Sequence, residues 1–121
     1  MSNEKVDLAK ENCVPCQGGV PPMAISEAQK VLANLHAGWA INSMGHLERV
    51  FLVRNFADAL SLAVTLGAVA ENAGHHPDLL VSYGKLRAEI WTHKIGGLSR
   101  SDFVLAAKFD EVVPTRDDQH V

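Results

Sequence analysis

The chain lacks any uninterrupted apolar run long enough to span a bilayer. Its most apolar stretch, Leu62 to Ala70, is nine residues, against the roughly 20 that a membrane-spanning helix needs. It also lacks an excess of positive charge: 11 Lys and Arg stand against 14 Asp and Glu, a net charge of −3. That balance is without the basic footprint of a nucleic-acid-binding surface. The first ten residues contain Glu4 and Asp7 and no apolar secretory segment, so the expected compartment is the cytoplasm. Two cysteines do not make a disulfide framework, and there is no internal repeat. What is present is ordinary globular composition, 47% apolar and 21% charged over 121 residues, enough for one domain with a buried core.

Pro15, Gly18, Gly19, Pro21 and Pro22 punctuate the start, so residues 1–24 are expected to be an irregular N-terminal segment. The folded domain is expected over residues 25–113, followed by a loose tail at 114–121 that Pro114 introduces. Ser26 is a candidate N-cap for a helix from about Glu27 to Ala37, with Gly38 just past its end. Short strands follow at Trp39–Ile41 and His46–Val53, separated by the turn residues Asn42-Ser43-Met44-Gly45. Asn55 is a candidate N-cap for the longest helix, about Phe56 to Asn72, roughly 25 Å at 1.5 Å per residue. Leu60, Ala63, Val64, Gly67 and Ala68 form one apolar stripe on it. Leu62, Leu66 and Val69 lie largely outside that stripe. A helix apolar on several sides is either deep in a core or shared with another subunit, and a domain this small favours the second.

Gly74 reads as the terminator of that helix. Strands are then expected at Leu79–Tyr83 and Lys85–His93. In the latter, Leu86, Ala88, Ile90 and Thr92 alternate with Arg87, Glu89, Trp91 and His93, the period of a sheet with one packed and one more open face. Ser99 and Asp102 give a capping-box-like start to a last helix reaching about Val113. The order is therefore α-β-β-α-β-β-α. The fold class is α+β, in two layers, with helices on one face of a four-stranded antiparallel sheet.

The chemistry concentrates between Glu71 and Asp102. His75 and His76 follow the long helix, and His93 ends a strand. If the third and fourth strands form a hairpin, His93 returns to the level of His75 and His76. Pro77 restricts the backbone of His76. Glu71 places a negative charge at the negative end of its helix, a broken local rule that points mildly to function; accepting a hydrogen bond from a site histidine would offset that cost. Each residue also has an ordinary reading: Tyr83 as a sheet-packing residue, Asp102 as a helix-start residue, Glu71 as a solvated helix end. His36, His46 and His120 receive no functional role.

The spacing Glu71-x3-His75-His76-Pro77-x5-Tyr83-x9-His93-x8-Asp102 resembles the motif of the pterin-4a-carbinolamine dehydratases. Further similarity runs through Gly38-Trp39, Gly97-Leu98-Ser99 and Leu105-Ala106-Ala107, so the resemblance covers about residues 25–113. It implies a similar fold and a homodimer or homotetramer. The implied substrate is a 4a-hydroxytetrahydropterin made by an aromatic amino-acid hydroxylase, and the implied products are a quinonoid dihydropterin and water, as in tetrahydrobiopterin recycling. His75, His76 and His93 match the family's active-site histidines. Gly74 and Trp91-Thr92-His93-Lys94 look like the segments that hold the pterin, partly through main-chain groups. Glu71, Pro77, Tyr83 and Asp102 fill supporting positions. Dehydration delivers a proton to the leaving oxygen and takes one from the neighbouring ring nitrogen. Both transfers suit groups that titrate near neutral pH, as histidine does. Close histidines cannot all be cationic, so the cluster titrates as a coupled unit and supplies both acid and base. No metal or redox cofactor is required.

Cys13-Val14-Pro15-Cys16 offers two of the four ligands zinc would want, with His36, His120 or a second subunit as possible completions. No strand precedes it, as a redox motif would want. It is expected to be neither a metal nor a redox site and, as similar leaders in part of the family suggest, to pack along the domain. Two rival functions remain. One is a dimerisation or coactivator module, a role some animal members of the family also have. The other is a zinc hydrolase that uses the three histidines as ligands.

Overall fold

The computed structural model describes residues 7–14 and 20–113. The elements are α1 (Ile25–Leu32), β1 (Ala40–Ile41), β2 (Leu47–Leu52), α2 (Phe56–Ala73), β3 (Asp78–Ser82), β4 (Lys85–Ile90) and α3 (Arg100–Val112). Two one-turn 3-10 helices, Leu8–Lys10 and His93–Ile95, join them. The order and the two-layer α+β class are as the sequence predicts. All strand pairs are antiparallel, and the sheet order is β1-β2-β4-β3. β3 and β4 form the expected hairpin, with Asp78 opposite Glu89 and Ser82 opposite Lys85. β2 takes the other edge of β4, with Leu47 opposite Ile90 and Leu52 opposite Lys85.

Alternation decides which side of the sheet is packed. Leu47, Phe51, Leu86, Ala88 and Ile90 point inward and are buried. On the other face Val50, Leu52 and Leu80 remain exposed. The inner layer is completed by α2 and α3. Phe103 and Phe109 of α3 are fully buried, so truncating either to alanine would cost about 3–5 kcal/mol.

α2 begins where Asn55 accepts the backbone N–H of Asp58 at 2.8 Å, an N-cap bond. It ends at Gly74, whose left-handed φ of 72° lets its N–H bond back to Ala70 at 2.9 Å. The buried face of α2 is Ala59, Leu62, Leu66 and Ala70, and none of the stripe Leu60, Ala63, Val64, Gly67 and Ala68 is fully buried. Leu60 and Val64 of that stripe are 46% and 73% exposed. The helix is apolar on several sides, so periodicity alone does not choose a face.

α1 also differs. It starts at Ile25 with Ala24 at the cap position, and Ser26 lies inside it. It stops at Leu32, because Asn34 and Leu35 close tighter turns on Val31 and Leu32. The chain must then turn at His36–Gly38 to bury Trp39. Gly38 is not left-handed. It is required by a close approach: a Cβ there would lie 2.9 Å from Nε of Arg49. Arg49 is buried and its Nη1 donates to Asp110 at 2.7 Å, as does Nε1 of Trp39 at 2.9 Å.

Within the segment expected to be irregular, Leu8–Lys10 forms a 3-10 turn and residues 11–14 have no regular structure but pack on the domain. Leu8 is buried, and residues 8–14 lie along α3. Lys108 donates to the Ala9 carbonyl at 2.8 Å, Arg100 makes two bonds to the Glu11 carboxylate, and Ser101 bonds both the N–H and the carbonyl of Val14. Among the described residues, no helix is long and apolar enough to cross a membrane.

Candidate active site

α3 opens with the capping box that the sequence suggests, Ser99 with Asp102. Asp102 does more than cap. Its carboxylate is fully buried, and Oδ2 accepts the Ser99 N–H at 2.8 Å and the Thr92 hydroxyl at 2.9 Å. Oδ1 lies 2.5 Å from Nε2 of His75. A carboxylate oxygen accepts, so the proton on this contact belongs to Nε2. That fixes the ring's tautomer and leaves Nδ1 as the nitrogen available for proton transfer. The N-terminal end of α3 also favours a negative charge at Asp102.

The same carboxylate joins the two segments that carry the histidines. Carried three steps beyond the Asp78–Glu89 pair, the hairpin register sets His75 level with Thr92. Asp102 bridges these two. β4 ends at Ile90, short of the expected His93, because Thr92 is held by Asp102 and by Ser99 at 2.8 Å. The chain then turns through His93–Ile95. His93 is therefore the residue after the one that Asp102 holds.

His76 is exposed, with Nε2 2.6 Å from Oε2 of Glu71. Glu71 thus relieves its unfavourable place at the helix end with a histidine partner. Both groups are solvated, so the pair contributes at most about 1 kcal/mol to stability. Pro77 follows directly and restricts the His76 backbone. Gly74 supplies the left-handed turn that delivers both histidines from α2 to the sheet.

His93 is held differently. No hydrogen bond or ion pair to its ring occurs among the described residues. Its ring stacks on Trp91, with centroids 4.3 Å apart and planes 9° from parallel. Trp91 also stacks on His46, at 3.9 Å and 3°. Two rings so close and so nearly parallel to one indole must lie on opposite faces, so both faces of Trp91 are occupied. Lys94 follows in the same 3-10 turn. Tyr83 stands apart: it lies in the β3–β4 turn, 75% exposed, at the end of the hairpin away from the histidines.

His46, Glu89 and Asn42, which belong to no functional motif in the sequence, form the backing of this site. Nδ1 of His46 is 2.8 Å from Oε2 of Glu89. Asn42 donates to Glu89 at 2.9 Å and to Glu48 at 2.8 Å. Burial pushes the Glu89 carboxyl up. The bonds from Asn42 and His46 and the positive charges of His46 and Arg87 outweigh it and hold the group below the usual carboxylate range. The available signal is alternation: His46, one residue before β2, shares a face with Glu48, as Trp91, one residue after β4, does with Glu89.

Cys13 is half-buried, with Sγ 3.6 Å from the Ser101 carbonyl, and burial pushes its thiol up. It packs against the domain as expected. Cys16, Pro114 and His120 lie outside the described residues. An apolar cavity of about 480 Å³ lies between the leader and α3, lined by Val14, Met23, Ile95, Leu98 and Val104 among others, and none of the three histidines lines it.

A family model described as pterin 4 alpha carbinolamine dehydratase matches residues 21–112. A protein of Alkaliphilus metalliredigens (strain QYMF) is 47% identical over 105 residues, covering 87% of this chain and 95% of that protein. One from Rickettsia canadensis (strain McKiel) is 45% identical over 106 residues, covering 88% and 97%. Both bear the provisional name pterin-4-alpha-carbinolamine dehydratase. A crystal structure of a transcriptional coactivator/pterin dehydratase from Brucella melitensis superposes with a TM-score of 0.69 at 23% identity, covering 77% of this chain and 99% of that one. At that identity the likeness concerns the fold.

Proposed function

The chain belongs to the pterin 4 alpha carbinolamine dehydratase family, and from that membership we propose that it removes water from a 4a-hydroxytetrahydropterin. The C4a–O bond breaks as the leaving oxygen gains a proton and departs as water. The adjacent ring nitrogen loses its proton, and its electron pair forms the new C=N bond of the quinonoid dihydropterin. Donor and acceptor are both imidazoles. His75 is the base: with Nε2–H held on Asp102, its Nδ1 takes the proton, and the buried carboxylate stabilises the charge that develops. His93, with neither ring nitrogen committed to a protein partner among the described residues, gives a proton to the oxygen. His76, backed by Glu71, orients the pterin. Gly74, Trp91, Thr92 and Lys94 flank the ring, chiefly through main-chain groups. Such positioned acid–base help is typically worth about 10²–10⁴ in rate, which suits a carbinolamine that already loses water unaided.

The observation that carries this reading is the single Asp102 carboxylate bonded at once to His75 at 2.5 Å and to Thr92, the neighbour of His93, at 2.9 Å. A hydroxylase acting on aromatic amino acids would supply the substrate in tetrahydropterin recycling. The test is to present purified protein with freshly generated 4a-hydroxytetrahydropterin and follow absorbance against a protein-free control, with and without a strong chelator. Faster dehydration that survives chelation supports the proposal. Loss of activity on chelation would favour a zinc hydrolase-like site, and no acceleration would refute the dehydratase reading.

A second reading rests on the exposed side chains Leu60 and Val64 of α2. Apolar groups left in water on a helix already apolar on its packed side favour a protein contact there, with a second copy in a homodimer or homotetramer as the simplest occupant.

A further inference from the structure

The three candidate imidazoles are not held by equivalent means. His75 and His76 each have a carboxylate, at 2.5 and 2.6 Å. Among the described residues His93 has only the indole of Trp91. It is also exposed, in a one-turn 3-10 helix, where the backbone alone constrains a side chain weakly. Whatever fixes Trp91 therefore fixes His93.

What fixes Trp91 on its other face is His46. This ring is itself clamped. It is 8% exposed, its Nδ1 bonds Glu89 at 2.8 Å, and its backbone N–H bonds Oδ1 of Asn42 at 3.0 Å. Asn42 and Arg87 in turn hold the two oxygens of Glu89, at 2.9 and 3.3 Å. The sheet builds this column. Leu47 pairs with Ile90, so one step outward His46 stands level with Trp91 on the open face. The column runs from a fixed carboxylate through two stacked rings to a proton-transfer group.

We propose that His46, anchored by Glu89, is a positioning residue for the dehydration, acting through Trp91 to hold the imidazole of His93 at its working angle. The proposal rests on the dehydratase reading for what His93 does. The stack itself can be tested without it. Removing the His46 ring opens a slot behind the indole, and the indole is then free to tilt away from His93. Aromatic pairs of this kind contribute modestly, so the loss in rate is on the order of three- to tenfold.

The experiment measures kcat and KM for 4a-hydroxytetrahydropterin with the full chain, as wild type, His46→Ala, His46→Phe, His93→Ala and His46→Ala/His93→Ala, with thermal unfolding of each. His46→Ala lowers kcat by the stated factor with KM within about twofold. His46→Phe, which restores a ring but not the hydrogen bond, recovers most of kcat. In the His93→Ala background the His46 substitution has no further effect, because groups acting through one another are not additive. Full kcat in His46→Ala, or an equal loss in both backgrounds, overturns the proposal. A proton NMR measurement stands apart from activity. The Hε1 resonance of His93, shifted upfield by the indole ring current, moves downfield in His46→Ala and returns in His46→Phe. An unmoved resonance overturns the proposal. Absence of dehydration by the wild type refutes the dehydratase reading instead, and the resonance then decides the stack on its own.

Discussion

Asp102→Asn separates a helix-start residue from a residue that organises chemistry. The side chain keeps its shape but changes from a pure acceptor to one acceptor and two donors. Its surroundings then force a choice. The Ser99 N–H, at 2.8 Å, can only donate, so the amide oxygen must turn toward it. The Thr92 hydroxyl can rotate to suit either atom. The amide NH2 is left facing Nε2 of His75, where the carboxylate now accepts at 2.5 Å. His75 must accept there, so its proton moves to Nδ1, the nitrogen assigned as the base. Losing the charge-assisted bond costs about 1.5–3 kcal/mol, and losing the charge at the helix N-terminus about 0.3–1 kcal/mol. Offset by the bonds the amide still makes, the net destabilisation is about 2–3 kcal/mol, a fall in Tm of roughly 6–15 °C for a chain of this size. The loss in kcat is about 10²-fold or more, the usual share of a positioned base. Stopped-flow dehydration at saturating substrate, at a temperature where thermal melts show the variant folded, reads both effects. A lowered Tm with kcat unchanged would return Asp102 to a purely structural role.

Three further predictions concern the frame and the assembly. Gly38→Ala drives a Cβ to 2.9 Å from Nε of Arg49, which is buried and tied to Asp110; overpacking of this kind costs about 1–3 kcal/mol, measurable as a lower urea midpoint with an unchanged slope. The Glu89 carboxyl titrates below its ordinary value of 4.5 in the folded chain, so its contribution is fully present above that value and is lost as pH falls through the folded pKa; between pH 5 and pH 3 the wild type should lose more stability than Glu89→Gln, and parallel curves would contradict this. Val64→Glu changes a 73% exposed position on α2 and should leave monomer stability within about 0.5 kcal/mol, while the proposed contact with a second copy predicts slower sedimentation than wild type; equal sedimentation of the two would contradict that contact.

The parts of the fold legible in the sequence are those set by neighbours along the chain. Asn55 and Gly74 bound α2 because a cap and a left-handed turn are local events. The β3–β4 hairpin follows from alternation and a tight turn, and it already brings His93 back toward His75. Ser99 with Asp102 is a local motif, but its second use as the anchor of His75 is not, since those residues are separated by a strand pair. The face that α2 buries is not legible because Leu60, Leu62, Val64 and Leu66 are equally apolar; only the surfaces of the sheet and α3 decide among them. The end of α1 was misread because Gly38 serves a close approach to Arg49 rather than a helix terminus. His46 stayed hidden because its contact with Trp91 depends on β2 pairing with β4, a strand order that no local pattern in the chain specifies.

In the proposed dehydration His75, His76 and His93 act on one pterin, with His75 and His93 moving the protons. The direct measurement is kcat for dehydration at saturating 4a-hydroxytetrahydropterin with His75→Ala, His76→Ala and His93→Ala. The expected losses are about 10²-fold or more for the substitutions at 75 and 93, and for the one at 76 a raised KM with a smaller change in kcat. Three variants that each retained the full wild-type kcat would contradict that assignment.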